Sequence, residues 1–158
     1  MTDLQTIYFR IARTQADYAR CIDDDRLEEW PAFFTADCLY KVTTADNHRD
    51  GMEAGVIFAN SRGMLTDRIS ALREANIYER QAYRHLLGQP SILVHDNQCV
   101  RTETSFMVAR IMRDGSTMLY ATGRYLDVWR LDGDATLLAE RIVVCDSSRI
   151  DTLMALPL

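Results

Sequence analysis

Apolar positions near the start of the chain recur at helical spacing. Thr2, Asp3, Leu4 and Gln5 fit a capping box, and Leu4, Ile7, Tyr8, Ile11, Gln15, Tyr18, Ala19 and Ile22 then mark one face. The cluster Asp23, Asp24 and Asp25 breaks this helix and can cap a second one, in which Leu27, Trp30, Phe33 and Phe34 share an apolar side. Short strands are expected from Cys38 to Thr43 and from Ala54 to Asn60. A helix follows from about Ser61 to Ala75, with Met64, Leu65, Ile69 and Leu72 turned inward.

The second half changes character. Ser91 to His95 is a short β-like run and Thr104 to Arg113 a long one, and the pair Asp114 and Gly115 after it is a strong hairpin signal. The partner strand, Thr117 to Leu131, ends at a second turn, Asp132, Gly133 and Asp134, and a last strand runs from Leu137 to about Asp146. Helices first and an antiparallel meander afterwards predict an α+β fold, not a wound βαβ sheet. Long strands that are partly apolar on both faces predict a strongly curved sheet folded over the N-terminal helices, which is a cone. No repeat, biased stretch or linker divides residues 1–158, so a single domain is expected.

Composition narrows the partners. A net charge of -5 disfavours phosphate backbones and anionic lipid, so neither nucleic acid nor a membrane surface is expected. Lys41 is the sole lysine. Arginine forks suit interfacial ion pairs, although a GC-rich genome explains the same bias more simply. Met1 to Arg10 has neither the basic nor the apolar region of a signal peptide. No apolar run approaches the ~20 residues that span a bilayer. Cys21, Cys38, Cys99 and Cys145 stand singly, as free and mostly buried thiols in a cytoplasmic protein would.

Metal chemistry has little to build on. A Rieske cluster needs two Cys and two His as a C-x-H and a C-x-x-H pair, and neither spacing occurs. A mononuclear iron site needs two His and a carboxylate on one face. His48, His85 and His95 are the only histidines, and no two share a helical turn; His48 and His95 lie in polar, turn-like sequence expected at the surface. There is no nucleophile elbow, phosphate loop or dinucleotide turn, and Ser61 and Ser70 lie in helical sequence without a visible base.

A cone encloses a cavity, and Tyr18, Asp23, Tyr40 and His85 are candidates for acid–base work inside it. Arg84 beside His85 would depress the proton affinity of the imidazole. The alternative is that Arg84 and His85 form a structural network tying the helical half to the sheet, and that Tyr8, Tyr18 and Tyr40 are core residues with hydrogen-bonded tips. Asp67 and Arg68 can pair with another chain or face solvent. Arg124, Tyr125, Trp129 and Arg130 have the aromatic–arginine mixture of interface anchors, unless Trp129 simply covers the open end of the cone. The ending, Asp151 to Leu158, carries Leu153, Met154, Leu156 and Leu158 and must pack on its own domain or in a neighbour's groove.

Taken in order, these landmarks resemble the beta subunits of aromatic-ring-hydroxylating, Rieske-type dioxygenases. They are Trp30 and Pro31 with Phe33 and Phe34 before Tyr40, then Ser61, Arg62, Met64, Leu65, Asp67 and Arg68, then Tyr83, Arg84 and His85, and finally the meander. Within the family, Met64 to Glu79 and Asp151 to Leu158 look like the branch that acts on terephthalate, with the salicylate and anthranilate branches similar at lower fidelity. The resemblance implies a nuclear-transport-factor-like (cystatin-like) cone with a mixed, mainly antiparallel sheet. It also implies a structural subunit without catalytic, cofactor or metal residues, assembled with a large alpha subunit as three plus three. The Rieske [2Fe-2S] cluster and a mononuclear Fe(II) are implied for the large subunit, with a reductase supplying electrons from NADH or NADPH. Subunit contacts are then expected at Asp67, Arg68, Arg124, Tyr125, Trp129, Leu153, Leu156 and Leu158. The rival class is a stand-alone cone-fold dehydratase, isomerase or cyclase using His85 with an Asp or Tyr; a third is a small-molecule binding module.

Overall fold

The computed structural model describes residues 3–52, 55–75, 80–96, 98–149 and 156–158. Helix α1 spans Leu4–Asp23 and is capped by Asp3, whose carboxylate accepts from the Thr6 amide at 2.9 Å. Ile7, Ile11, Gln15, Tyr18, Ala19 and Ile22 are its buried stripe, as their spacing requires, whereas Leu4 is exposed. The helix ends in the aspartate cluster, where Asp25 takes a left-handed φ of 61°. The next element is a 3-10 helix, Leu27–Phe33, in place of the expected α-helix. Pro31 inside it withholds a backbone donor, and no aspartate side chain caps it.

Strand β1 (Phe34–Thr44) is longer than expected and leads into a short helix α2 (Ala45–Arg49) that the hydrophobic pattern did not announce. Strand β2 (Ile57–Ala59) and helix α3 (Arg62–Ala75) follow. Leu65 and Ile69 of α3 are buried and Leu72 packs against the core, but Met64 turns outward. Strand β3 (Gln81–Leu87), which carries Arg84 and His85, fills a stretch for which the pattern announced no element. The meander is then β4 (Ser91–His95), β5 (Cys99–Met112), β6 (Thr117–Asp132) and β7 (Ala135–Cys145). Its turns hold Gly115 and Gly133 at φ of 88° and 57°, the left-handed conformation that makes glycine the fitting residue there.

The sheet runs β2-β1-β7-β6-β5-β3, with β4 also paired to β5. Among the described strands only β1 and β7 pair in parallel. Two register shifts, at Val108/Ala109 and at Val128/Trp129, add bend and twist to the long strands. Gly123 sits at a close approach: a Cβ there would lie 2.1 Å from the Val144 carbonyl oxygen. Opposite it in register stands Phe106, whose ring stacks on Tyr125 with centroids 4.5 Å apart. The curved sheet and the helices enclose one core, in which Trp30, Phe34, Tyr40, Tyr125 and Trp129 have no exposed surface. No described helix is long and apolar enough to cross a membrane.

Candidate functional site

Residues from four elements converge inside the cone. Tyr18 on α1 and Tyr40 on β1 both donate to the Leu158 carbonyl oxygen, at 2.8 and 3.1 Å, and the Leu158 amide donates back to the Tyr40 oxygen at 3.2 Å. Tyr83 on β3 donates to the Leu156 carbonyl at 3.4 Å. Burial holds the Tyr18 and Tyr40 hydroxyls above the ordinary phenol range, so both stay protonated donors. Tyr8, grouped with them by sequence, is only half-buried on the outer part of α1.

Asp23 and His85 do meet. Asp23 ends α1, accepts the His85 backbone N–H at 2.9 Å and lies 2.7 Å from His85 Nδ1. A carboxylate at Nδ1 holds a proton there, and Nε2 is the ring's other polar atom. That Nε2 is buried without a hydrogen-bond partner among the described residues. Arg84 points outward and comes only to 4.0 Å from Asp23. The pair therefore ties α1 to β3, with Arg84 at its margin.

A polar pair that sequence reading passed over lies deeper. Arg141 on β7 and Asp127 on β6 make two 2.8 Å bonds, with neither side chain exposed. The guanidinium also lies 4.4 Å from the Tyr18 ring centroid and 3.8 Å from that of Tyr125. Asp127 keeps Arg141 firmly charged despite burial opposing it. Counting outward from the Asp132–Ala135 turn places Glu140 opposite Asp127; the register shift at Val128/Trp129 brings Arg141 there instead.

Several expected contact residues prove to be internal. Tyr125 and Trp129 have no exposed surface, and the Trp129 indole donates to Thr102 at 2.9 Å, so neither side chain can anchor a partner. Both fall on the concave face of the bent β6. Leu156 and Leu158 fill their own cone instead of a neighbour's groove, because the tyrosine hydroxyls there satisfy their backbone. Arg124 pairs within the sheet with Glu103 at 2.7 Å while remaining partly exposed. Asp67 is exposed on α3, and Arg68 is half-buried with its charge bearing on Tyr40. Leu153 and Met154 lie outside the described residues.

His95 is exposed and His48 half-buried on α2. Among the described residues no group of three His, Cys, Asp or Glu side chains is arranged to hold a metal ion. Cys21, Cys38 and Cys145 are buried and Cys99 is exposed. Burial pushes the Cys21 thiol up to about 11 and the Cys145 thiol to about 12, which suppresses the nucleophilic thiolate.

A curved mixed sheet wrapped on a long helix defines the nuclear-transport-factor-like cone. The crystal structure of ActVI-ORFA from Streptomyces coelicolor shares it, with a TM-score of 0.71 at 14% identity over 92% of this chain and 98% of that one; the likeness is one of fold alone. Residues 17–152 match the family described as the ring hydroxylating beta subunit, and the chain belongs to that family. It is 55% identical to the beta 1 subunit of the terminal oxygenase component of terephthalate 1,2-dioxygenase from Comamonas sp, over 94% of this chain and 97% of that one. It is also similar to the crystallised beta subunit of an aromatic-ring-hydroxylating dioxygenase from Novosphingobium aromaticivorans, with a TM-score of 0.91, 40% identity and 98% of each chain covered. The chain is thus a subunit of a multicomponent aromatic-ring dioxygenase, and a beta subunit has an alpha oxygenase partner.

Proposed function

We propose that this chain is the structural, non-catalytic small subunit of an oxygenase that dihydroxylates terephthalate. The observation that carries this reading is its likeness, along nearly its whole length, to a Comamonas subunit named for that reaction. In the complex, dioxygen and the two electrons of NADH or NADPH convert the ring to a cis-dihydrodiol. Both oxygen atoms enter the substrate, and the nucleotide is oxidised through a reductase. The large subunit holds the Rieske [2Fe-2S] cluster and the mononuclear Fe(II), and three large subunits stand on three small ones.

The geometry suits a supporting role. Its interior is filled by its own aromatic residues and tail, while its outward surface keeps apolar side chains in reach of a partner. Leu86 and Met107 stand opposite each other on β3 and β5, with exposures of 62% and 40%, and Leu119 near the β5–β6 turn is 60% exposed. Co-expression with the large subunit tests the reading. Light scattering should give the mass of three plus three, iron should track the large subunit, and product should form with terephthalate. A large subunit that assembles and turns over normally without this chain removes the structural role, and a complex that ignores terephthalate removes the substrate.

One observation favours a second reading. The buried Asp23–His85 pair has the composition of an acid–base dyad, as a stand-alone dehydratase, isomerase or cyclase would use. Turnover by the chain alone would establish it.

A further inference from the structure

We propose that the cleft between α1 and the β3–β4 connection is a binding site for a small neutral phenol. The sheet edge is interrupted there. Strand β3 ends with Leu87 opposite Phe106 and β4 begins with Ser91 opposite Glu103, so Thr104 and Ser105 of β5 have no residue opposite them on that edge. Residues 88–90 bridge the gap, tied to β5 by the Gly88 amide, which donates to the Ser105 carbonyl at 2.8 Å. Facing the bridge, Tyr8, Ala12, Gln15 and Ala16 share one side of α1, being spaced by three and four residues. The short side chains of Ala12 and Ala16 leave a cleft of about 190 Å³, walled on its other side by Leu87 and Pro90.

Gln15 sets the chemistry of the ligand. It lines the cleft from below, being only 2% exposed, and its Nε2 donates to the Thr104 hydroxyl at 3.0 Å. That bond fixes the amide at the gap in the sheet and leaves Oε1 buried without a hydrogen-bond partner among the described residues. A buried acceptor without a donor is costly, and a donor entering the cleft removes that cost. No residue lining the cleft is charged, so an anion would lose its hydration without gaining a counter-charge. The ligand is therefore a neutral donor. The ring of Tyr8 and the aliphatic walls favour an aromatic body behind it. A phenol combines the two and stays un-ionised at neutral pH, as a tyrosine side chain does. Terephthalate, doubly ionised, does not meet these terms, so the site is separate from that of the oxygenase substrate.

The probe is 4-methylphenol; 4-methylanisole is the control that keeps the ring and lacks the donor. Calorimetry on the full chain should show saturable binding of the phenol at a single site. The ether should bind about tenfold more weakly, the effect of one neutral hydrogen bond. Gln15→Met should bring the phenol down to the level of the ether. Ala16→Leu fills the cleft from an exposed position of α1 with another good helix former, and should abolish binding of both compounds. Circular dichroism checks both variants, and Ala16→Leu keeps the test decisive if Gln15→Met fails to fold. The complex with the large subunit should show the same binding, dependent on Ala16. Absence of saturable binding, equal binding of the ether, or binding that survives Ala16→Leu overturns the proposal. So does binding that is lost on assembly, which would make the cleft the seat of a partner's side chain.

Discussion

Asp127 and Arg141 face each other across β6 and β7, joined by two 2.8 Å hydrogen bonds where neither side chain meets water. Such a pair is worth little against a hydrophobic replacement but is costly to break from one side, because the survivor is left charged and buried. Asp127→Asn or Arg141→Met should each lower stability by about 3–5 kcal/mol in denaturant unfolding. Asp127→Leu combined with Arg141→Met should recover most of that loss. If the double variant is no better than the singles, the aromatic stacking of the guanidinium matters more than the ion pair.

His85 joins α1 to β3 through Asp23. His85→Ala removes one partner of a buried bond and should lower stability by about 1–3 kcal/mol. Turnover per correctly assembled complex should hardly change, measured as product formed per iron. A loss of several orders of magnitude with assembly intact would move the chemistry into this chain.

Arg73 on α3 bonds Glu28 of the 3-10 helix at 2.7 Å and Asp25 at 3.0 Å, clasping the two helical elements together. The hydrogen bond from Arg73 holds the Glu28 carboxyl below its ordinary value of 4.5. A depressed carboxylate stabilises the fold above its unfolded pKa, and that contribution disappears as pH falls through the folded one. The melting temperature should therefore drop as the solution is acidified below about 4.5. Arg73→Met should make this acid limb shallower, and an identical pH profile in the variant would exclude the clasp as its source. Both carboxylates are largely exposed, so the effect is a small one.

Leu86 and Met107 offer a direct check on assembly. Leu86→Asp with Met107→Asp should prevent association with the large subunit in size-exclusion chromatography. The isolated chain should melt almost unchanged, since exposed substitutions typically alter stability by about ±0.5 kcal/mol. Normal assembly by this variant would place the partner surface elsewhere.

The stripe on α1, the α3 helix and both hairpin turns were legible because each rests on local spacing or on a residue that a turn demands. The 3-10 helix and α2 were not, since Pro31 and a run as short as Ala45–Arg49 carry no periodic signal. Tyr125 and Trp129 were misread as interface anchors because alternation along one strand cannot tell the concave face of a bent sheet from the convex one. The Asp127–Arg141 pair was hidden by a single extra residue in β7. Tyr18, Tyr40, Asp23 and His85 could be named as candidates. The meeting of Tyr18 and Tyr40 with the chain's own tail depends on contacts distant in sequence, which no local pattern encodes.

The parallel pairing of β1 with β7 also sets a timetable for biosynthesis. Tyr40 stands beside Arg141, about a hundred residues further along the chain, so the middle of the sheet closes only when its last strand has been made. Until then the edge of β1 that pairs with β7 has no strand beside it, and an unpaired edge leaves the nascent chain open to aggregation. The sheet, and with it the outer surface offered to a partner, is complete only once β7 is in place.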